Sequence, residues 1–303
     1  ANVHQFEQSL RNGISGIQKI GVLEDINLTC QIAGIPKYDV ERLKEIVPKA
    51  LLFKLENEAI KYSCLAATEA WEDAGLEYAS RHDEPDWDSG LIFGVGTLAM
   101  DEFIGKKMDL VDCGNSKKAG TRVIEQSMNS GAATYINEII GLGNVATANS
   151  SACATGTEAI IQGYERIKSG KAKRMLCGSC ESQGKYIWGA FDGMRILCSD
   201  SNDNPTMGSR PMSADARGFV PGTGAGALVL ETLQSALERN AKIYGEIIAG
   251  DVNTGGQRNG GSITAGSSVA TIRCLKSVIE QSGIAPADID LISGHLTATM
   301  ADP

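Results

Sequence analysis

The chain holds 303 residues, enough for one large domain or two fused halves with a core of ordinary size. Its 28 basic and 37 acidic side chains leave a formal net charge of −9, which argues against general nucleic-acid binding because phosphate contact needs a basic surface. No run reaches the roughly 18 uninterrupted apolar residues of a membrane span, and Ala1 to Gly13 lacks the basic start and apolar middle of a signal peptide, so the expectation is a cytoplasmic protein, not inserted in a membrane, with a small or carrier-borne substrate.

Hydrophobic residues make up 42% and glycine fills 35 positions, the balance of an α/β protein with many tight strand-to-helix turns. Val47 to Gly75 is rich in Ala, Leu, Glu and Lys at helical spacing and predicts one helix stopped by Gly75. A polar linker around Arg81 to Asp88 leads into Gly90 to Gly96, a short buried strand. The β-branched stretch from Asn144 runs through small residues into a helix from Cys153 to Ser169. Strands are predicted at Arg174 to Gly178, Gly226 to Glu231 and Tyr244 to Gly250, with a helix through Thr232 to Asn240. A helix over Val269 to Ser282 closes at Gly283 and is followed by a strand at Ile289 to Ser293. Trp71 to Leu76, with its strand ending at Gly96-Thr97, resembles Ile279 to Ile284, with its strand ending at Gly294-His295, and this repetition points to two related halves of a layered α/β fold.

Eight cysteines are too dilute for a disulfide scaffold. Cys177 and Cys180 have the spacing of half a zinc site, but no second pair or histidine cluster follows, so they read as buried strand cysteines. Cys153 differs because it stands where a strand turns into a helix. The positive end of a helix dipole and its free backbone N–H groups favour a thiolate there and can stabilise an oxyanion, while Ala152, Ala154 and Gly156 leave room for an acyl chain. A cysteine that merely packs a small-residue turn remains the alternative on position alone. Only His4, His82 and His295 occur; the first two lie in the ragged start and a charged run, whereas His295 ends a predicted buried strand, where α/β sheets place ligands.

Ser151-Ala-Cys153-Ala-Thr-Gly-Thr157, Arg210-Pro-Met212, Arg217-Gly-Phe-Val-Pro-Gly-Thr-Gly-Ala-Gly226 and Gly294-His295-Leu-Thr297-Ala-Thr299-Met-Ala-Asp302 follow one another across nearly the whole chain. Together they resemble the β-ketoacyl-acyl-carrier-protein synthases, most of all the elongating ketosynthases of fatty acid and polyketide synthesis. The resemblance implies a thiolase fold of two duplicated βαβαβαββ halves in a five-layer α-β-α-β-α sandwich. Residues 1–240 would form the N-terminal half with the nucleophile, and residues 241–303 the start of the C-terminal half with His295. The family's first strand would be absent, as would a C-terminal part carrying a second histidine, a lysine and a Gly-rich loop.

By the same resemblance the activity would be acyl transfer by decarboxylative Claisen condensation. Cys153 would accept the acyl group and His295 would assist malonyl decarboxylation. Thr297 and Thr299 would bind the phosphopantetheine arm of an acyl carrier protein, Phe191 would gate the acyl channel, and Arg195 would face the carrier, while Lys117 and Lys118 read better as solvated surface charge. No cofactor of its own is implied, and a homodimer is. Leu296 stands where many members have Gly, and Thr223 where many have Asp. A non-catalytic chain-length partner subunit and another acyltransferase of the same fold are the competing readings; the first typically lacks the cysteine that this chain keeps.

Overall fold

The computed structural model describes residues 2–261 and 266–299; Ala1 and the Met300 to Asp302 end of the last motif lie outside them. Four strands build the central sheet, β1 (Ser89–Val95), β2 (Ala146–Thr147), β3 (Arg174–Glu181) and β4 (Gly224–Glu231), in the order β2-β1-β3-β4. β1 runs parallel to β2 and β3, and β4 closes antiparallel on β3 in register from Arg174 opposite Glu231 to Glu181 opposite Gly224. Every residue of β1 is buried, as expected of a parallel strand covered on both faces.

Alternation along the strands sorts the core into two layers. Leu91, Phe93, Val95, Leu176 and Cys180 pack against α1 (Glu58–Asp73) and α2 (Gly131–Ile140), whose Trp71, Tyr135 and Ile136 lie in the same cluster. Ile92, Met175 and Cys177 point the other way, against Ala159, Ile160 and Ile167 of α3 (Thr155–Lys168). The result is a helix–sheet–helix sandwich, and Cys177 and Cys180 are both buried in it. Desolvation pushes each of these thiols up to about 12, so neither is a nucleophile near neutral pH. After β3 the chain forms α4 (Lys185–Gly193), and the helix expected through Thr232 to Asn240 is present as Leu233–Glu238.

The single helix expected over Val47 to Gly75 is broken. A short helix at Lys49–Leu52 ends, and α1 starts afresh at Glu58 behind the N-cap Asn57. Side-chain partners from a distant segment make the break affordable: Gln126 accepts from the backbone N–H groups of Glu56 at 2.9 Å and Asn57 at 3.2 Å, and donates to the Lys54 carbonyl at 2.8 Å. Nothing in the local pattern announces a partner 70 residues away. Asn57 itself is 1% exposed; its side-chain oxygen accepts from Ile60 N–H at 3.0 Å, while its amide nitrogen has no partner among the described residues. Asn57→Ala should therefore cost about 1 kcal/mol of stability, whereas Asn57→Ser, which keeps the cap oxygen and removes the orphaned donor, should hold or raise the melting temperature.

The strands expected at Tyr244 to Gly250 and Ile289 to Ser293 do not form; among the described residues neither joins a ladder. A strand exists only where another strand takes its hydrogen bonds, and the first of these stretches is held by side chains instead. Tyr244 Oη donates to Asp73 Oδ2 at 2.9 Å, and Tyr164 Oη donates to the Ile248 carbonyl at 2.9 Å. Leu291 and Ile292 are 84% and 83% exposed, so the apolar run does not sit in a core. The intervening helix is present as α5 (Ser268–Ser282), and it ends as α1 does, with a left-handed glycine: Gly283 and Gly75 both have φ of 67°.

Glu231 ties the end of β4 to the helix after it. Burial pushes its carboxyl up, but hydrogen bonds from Arg239 and Ser235 and the charges of Arg239 and Arg174 outweigh that, and it titrates below the ordinary glutamate range. A carboxyl lowered in the folded state stabilises fully above its unfolded pKa and loses that contribution as pH falls through the folded value. Glu231→Gln should thus lower stability at neutral pH and flatten its fall below about pH 5, the variant and the parent converging in acid, as unfolding followed by circular dichroism at a series of pH values would read.

Candidate active site

The turn that carries Cys153 is built by its neighbours. β2 ends at Thr147, and Ala152–Ala154 form a single 3-10 turn that leads into α3, so Cys153 stands just before the α-helix rather than at its first residue. Ala152 holds φ of 49°, a left-handed conformation that costs a residue with a Cβ of order 1 kcal/mol and persists only where the surroundings impose it. Those surroundings are visible. Asn149 Nδ2 donates to the Thr155 carbonyl at 2.8 Å, Thr155 Oγ1 donates to the Ala152 carbonyl at 2.6 Å, and the same Oγ1 accepts from Ser151 N–H at 2.8 Å. Ser150 Oγ donates to the Gly96 carbonyl at 3.1 Å, which pins the turn to the end of β1, and Ser151 donates to Glu158 one turn into α3. Gly94 lies under this network: a Cβ there would overlap Asn149 Oδ1 and Thr155 Cγ2.

Cys153 is exposed and lines a cavity of about 380 Å³ at the carboxyl ends of β1 and β3. Ser179, Cys180 and Glu181 of β3 form one wall, and Gly222 to Gly226 another. Two glycines bring the walls together. Gly156 has no side chain where a Cβ would meet Ser179 Oγ at 2.6 Å, and Gly178 lets β4 and Phe93 pass close by. The Gly222–Thr223 wall is held from outside by the two-stranded ribbon of Ile17–Lys19 and Ile32–Gly34: Gly34 N–H donates to the Pro221 carbonyl at 2.9 Å, and Thr223 N–H donates to the Gly34 carbonyl at 3.0 Å. Ser179 and Glu181 were not singled out by sequence. Their place at the carboxyl end of a strand was the available signal. Partial desolvation raises the Glu181 carboxyl above its ordinary range.

His295, Thr297, Thr299, Phe191 and Arg195 do not line this cavity. One segment joins two of these elements, the threonine turn and the helix that carries Phe191, to the cavity wall. Thr297 and Thr299 have their hydroxyls 3.1 Å apart, and the buried Ala298 between them accepts from Gly218 N–H at 2.9 Å. His295, exposed, precedes this turn. Phe219 stacks edge-on to Phe191 of α4, with centroids 5.2 Å apart. Arg195, exposed with φ of 60°, follows α4. The motif from Arg217 to Gly226 is therefore the connector: Gly218 and Phe219 touch the threonine turn and Phe191, and Gly222 to Gly226 face Cys153.

Residues 1–236 match the family model of the beta-ketoacyl synthase N-terminal domain. The chain belongs to the β-ketoacyl synthase family. It is 33% identical over 248 residues to 3-oxoacyl-[acyl-carrier-protein] synthase 2 of Rhizobium meliloti (strain 1021), covering 80% of this chain and 57% of that relative. To 3-oxoacyl-[acyl-carrier-protein] synthase 1 of Escherichia coli (strain K12) it is 30% identical over 305 residues, covering 98% of this chain and 70% of the relative. The crystal structure of a beta-ketoacyl synthase from Burkholderia phymatum STM815 superimposes with a TM-score of 0.86 at 24% identity, covering 98% of this chain and 70% of the other. The α/β architecture is thus that of the ketosynthase branch of the thiolase fold. This β-ketoacyl synthase chain spans 57% and 70% of the lengths of the two curated relatives.

Proposed function

We propose that the protein is an acyltransferase that extends an acyl chain by decarboxylative Claisen condensation, with Cys153 as the acyl-accepting nucleophile. The observation that carries this reading is the strained, hydrogen-bonded turn that presents an exposed Cys153 to a cavity while Cys177 and Cys180 are buried and protonated. It also disfavours a non-catalytic chain-length partner, for which such a turn has no use.

In the proposed cycle the Cys153 thiolate attacks the donor thioester carbonyl, and collapse of the tetrahedral intermediate expels the carrier thiol and leaves an acyl-Cys153 thioester. A malonyl thioester then loses CO2, and the electrons of the broken C–C bond form an enolate, which His295 would stabilise. The enolate carbon attacks the acyl carbonyl and Cys153 leaves as thiolate, giving a β-ketoacyl thioester on the carrier. Thr297 and Thr299 would hold the phosphopantetheine arm of an acyl carrier protein, Phe191 would border the acyl channel and Arg195 would face the carrier. The arm belongs to the substrate, and the protein needs no cofactor of its own.

On this reading residues 1–240 form the half with the nucleophile and residues 241–303 the beginning of the half that supplies His295. A homodimer in the cytoplasm completes the proposal. The test is mass spectrometry of the full-length protein after incubation with an acyl-carrier thioester. The acyl mass should appear on the peptide containing Cys153; an unmodified Cys153 beside a donor that other synthases accept would sink the reading.

A further inference from the structure

The face of the sheet beside Cys153 is nearly bare of side chains. Met175 and Cys177 of β3 point towards α3, so alternation along the strand sends Ser179 and Glu181 to the same side. In the ladder Ser179 stands between Gly94 of β1 and Gly226 of β4, and Glu181 stands opposite Gly224. Residues paired directly across a sheet share a face, so neither neighbour of Ser179 in that row brings a side chain to it. Above the row lies Gly156 of α3, where a Cβ would meet Ser179 Oγ at 2.6 Å. A Cβ at Gly226, by contrast, would meet nothing within 4 Å, so the space beside Ser179 on the β4 side is open cavity.

Both side chains have hydrogen-bonding capacity to offer. Among the described residues Ser179 Oγ has no hydrogen-bond partner, and of the Glu181 carboxyl only Oε1 is engaged, accepting from Ser182 N–H at 3.2 Å. The other hydroxyls of the lining are taken: Thr155 Oγ1 bonds the Ala152 carbonyl and Ser151 N–H, and Thr223 Oγ1 donates to the Glu181 carbonyl at 2.7 Å. Gly156 lies three residues beyond Cys153, about 5 Å along the helix axis, so Ser179 beneath it is within reach of a substituent a few bonds down an acyl group held on the sulfur. We infer that Ser179 and Glu181 bind a hydroxyl on that acyl group, and that hydroxyacyl thioesters are the class the cavity selects. This rests on the proposed loading of Cys153 and adds two specificity residues to it. A hydroxyl can accept from Ser179 and donate to Glu181 at once. A ketone would leave Glu181 without a donor, and a carboxylate would be repelled by it, with no cation in the lining to compensate. An ammonium brings three donors, more than these two side chains beside a glycine wall can meet.

The test follows loading of Cys153 in the full-length protein by mass spectrometry with three soluble donors, butyryl-, 3-hydroxybutyryl- and 3-aminobutyryl-pantetheine. The hydroxylated donor should lead butyryl in kcat/KM by roughly 10-fold, mostly through KM. Ser179→Ala should close most of that gap, and Glu181→Gln, whose amide oxygen still accepts, should close part of it. Equal use of the hydroxylated and plain donors by the parent would overturn the inference before any variant is made. So would a preference for the amino donor over the hydroxylated one, or a hydroxyl preference that survives Ser179→Ala. Should no donor acylate Cys153, the loading reading fails separately, and calorimetry decides the pair. Tighter binding of 3-hydroxybutyryl-pantetheine than of butyryl-pantetheine, lost in Ser179→Ala, upholds it; equal binding, or a difference that Ser179→Ala leaves in place, overturns it.

Discussion

Replacing Cys153 by alanine should lower acyl transfer by roughly 1,000-fold or more, because a covalent route cannot run without its nucleophile. The substitution isolates chemistry from folding. Cys153 is exposed, contributes to none of the four buried clusters, and sits in a turn whose conformation is set by Asn149, Ser151 and Thr155 rather than by the thiol. The melting temperature should accordingly stay within a degree or two of the parent. The contrast is Cys180→Ala, which removes a buried sulfur from the core against α1 and should cost stability while leaving Cys153, the proposed acyl acceptor, intact. Intact-protein mass after donor incubation and a thermal scan read the two effects apart. Retention of acyl loading in the Cys153 variant would show that another group carries the acyl chain.

Gly94→Ala should cost about 3 kcal/mol, near the upper end for overpacking a tight interior. The added methyl would sit against Asn149 Oδ1, the Asn149 carbonyl and Thr155 Cγ2 at once, and none of these is the free end of a flexible chain. Asn149 bonds the Thr155 carbonyl, and its own carbonyl accepts from Val95 N–H at 3.2 Å, so moving it shifts both the end of β1 and the turn before Cys153. The loss should therefore appear twice. Denaturant unfolding should show the lower stability, and the surviving folded protein at low temperature should load acyl groups more slowly than the parent. A variant with parental stability and parental loading would mean that Asn149 and Thr155 yield easily, and that the turn is not held as described.

Cys153 was legible as a candidate because it stands between small residues at a strand-to-helix turn, whereas the Arg217 to Gly226 segment and the hydroxyls of Thr297 and Thr299 entered only through the resemblance of their motifs. β1, β3 and β4 were legible as short apolar runs bounded by turns. The break before α1 was not, since it depends on Gln126 arriving from another part of the chain. The stretches at Tyr244 to Gly250 and Ile289 to Ser293 were misread because apolar content marks a candidate strand, whereas pairing makes one.

By itself, the sequence determined the layered α/β class, Cys153 as a candidate nucleophile and the resemblance to the ketosynthases, since all three reside in short-range pattern. Only the tertiary structure decided that Cys153 precedes its helix in a strained turn, that Ser179 and Glu181 face it, and that His295 and the two threonines stand outside its cavity wall. It also decided that the Gly218 backbone joins the Ile196–Leu197 peptide to the threonine turn. These are contacts between residues far apart in the chain, and their energies come from burial and hydrogen bonds that no local window contains.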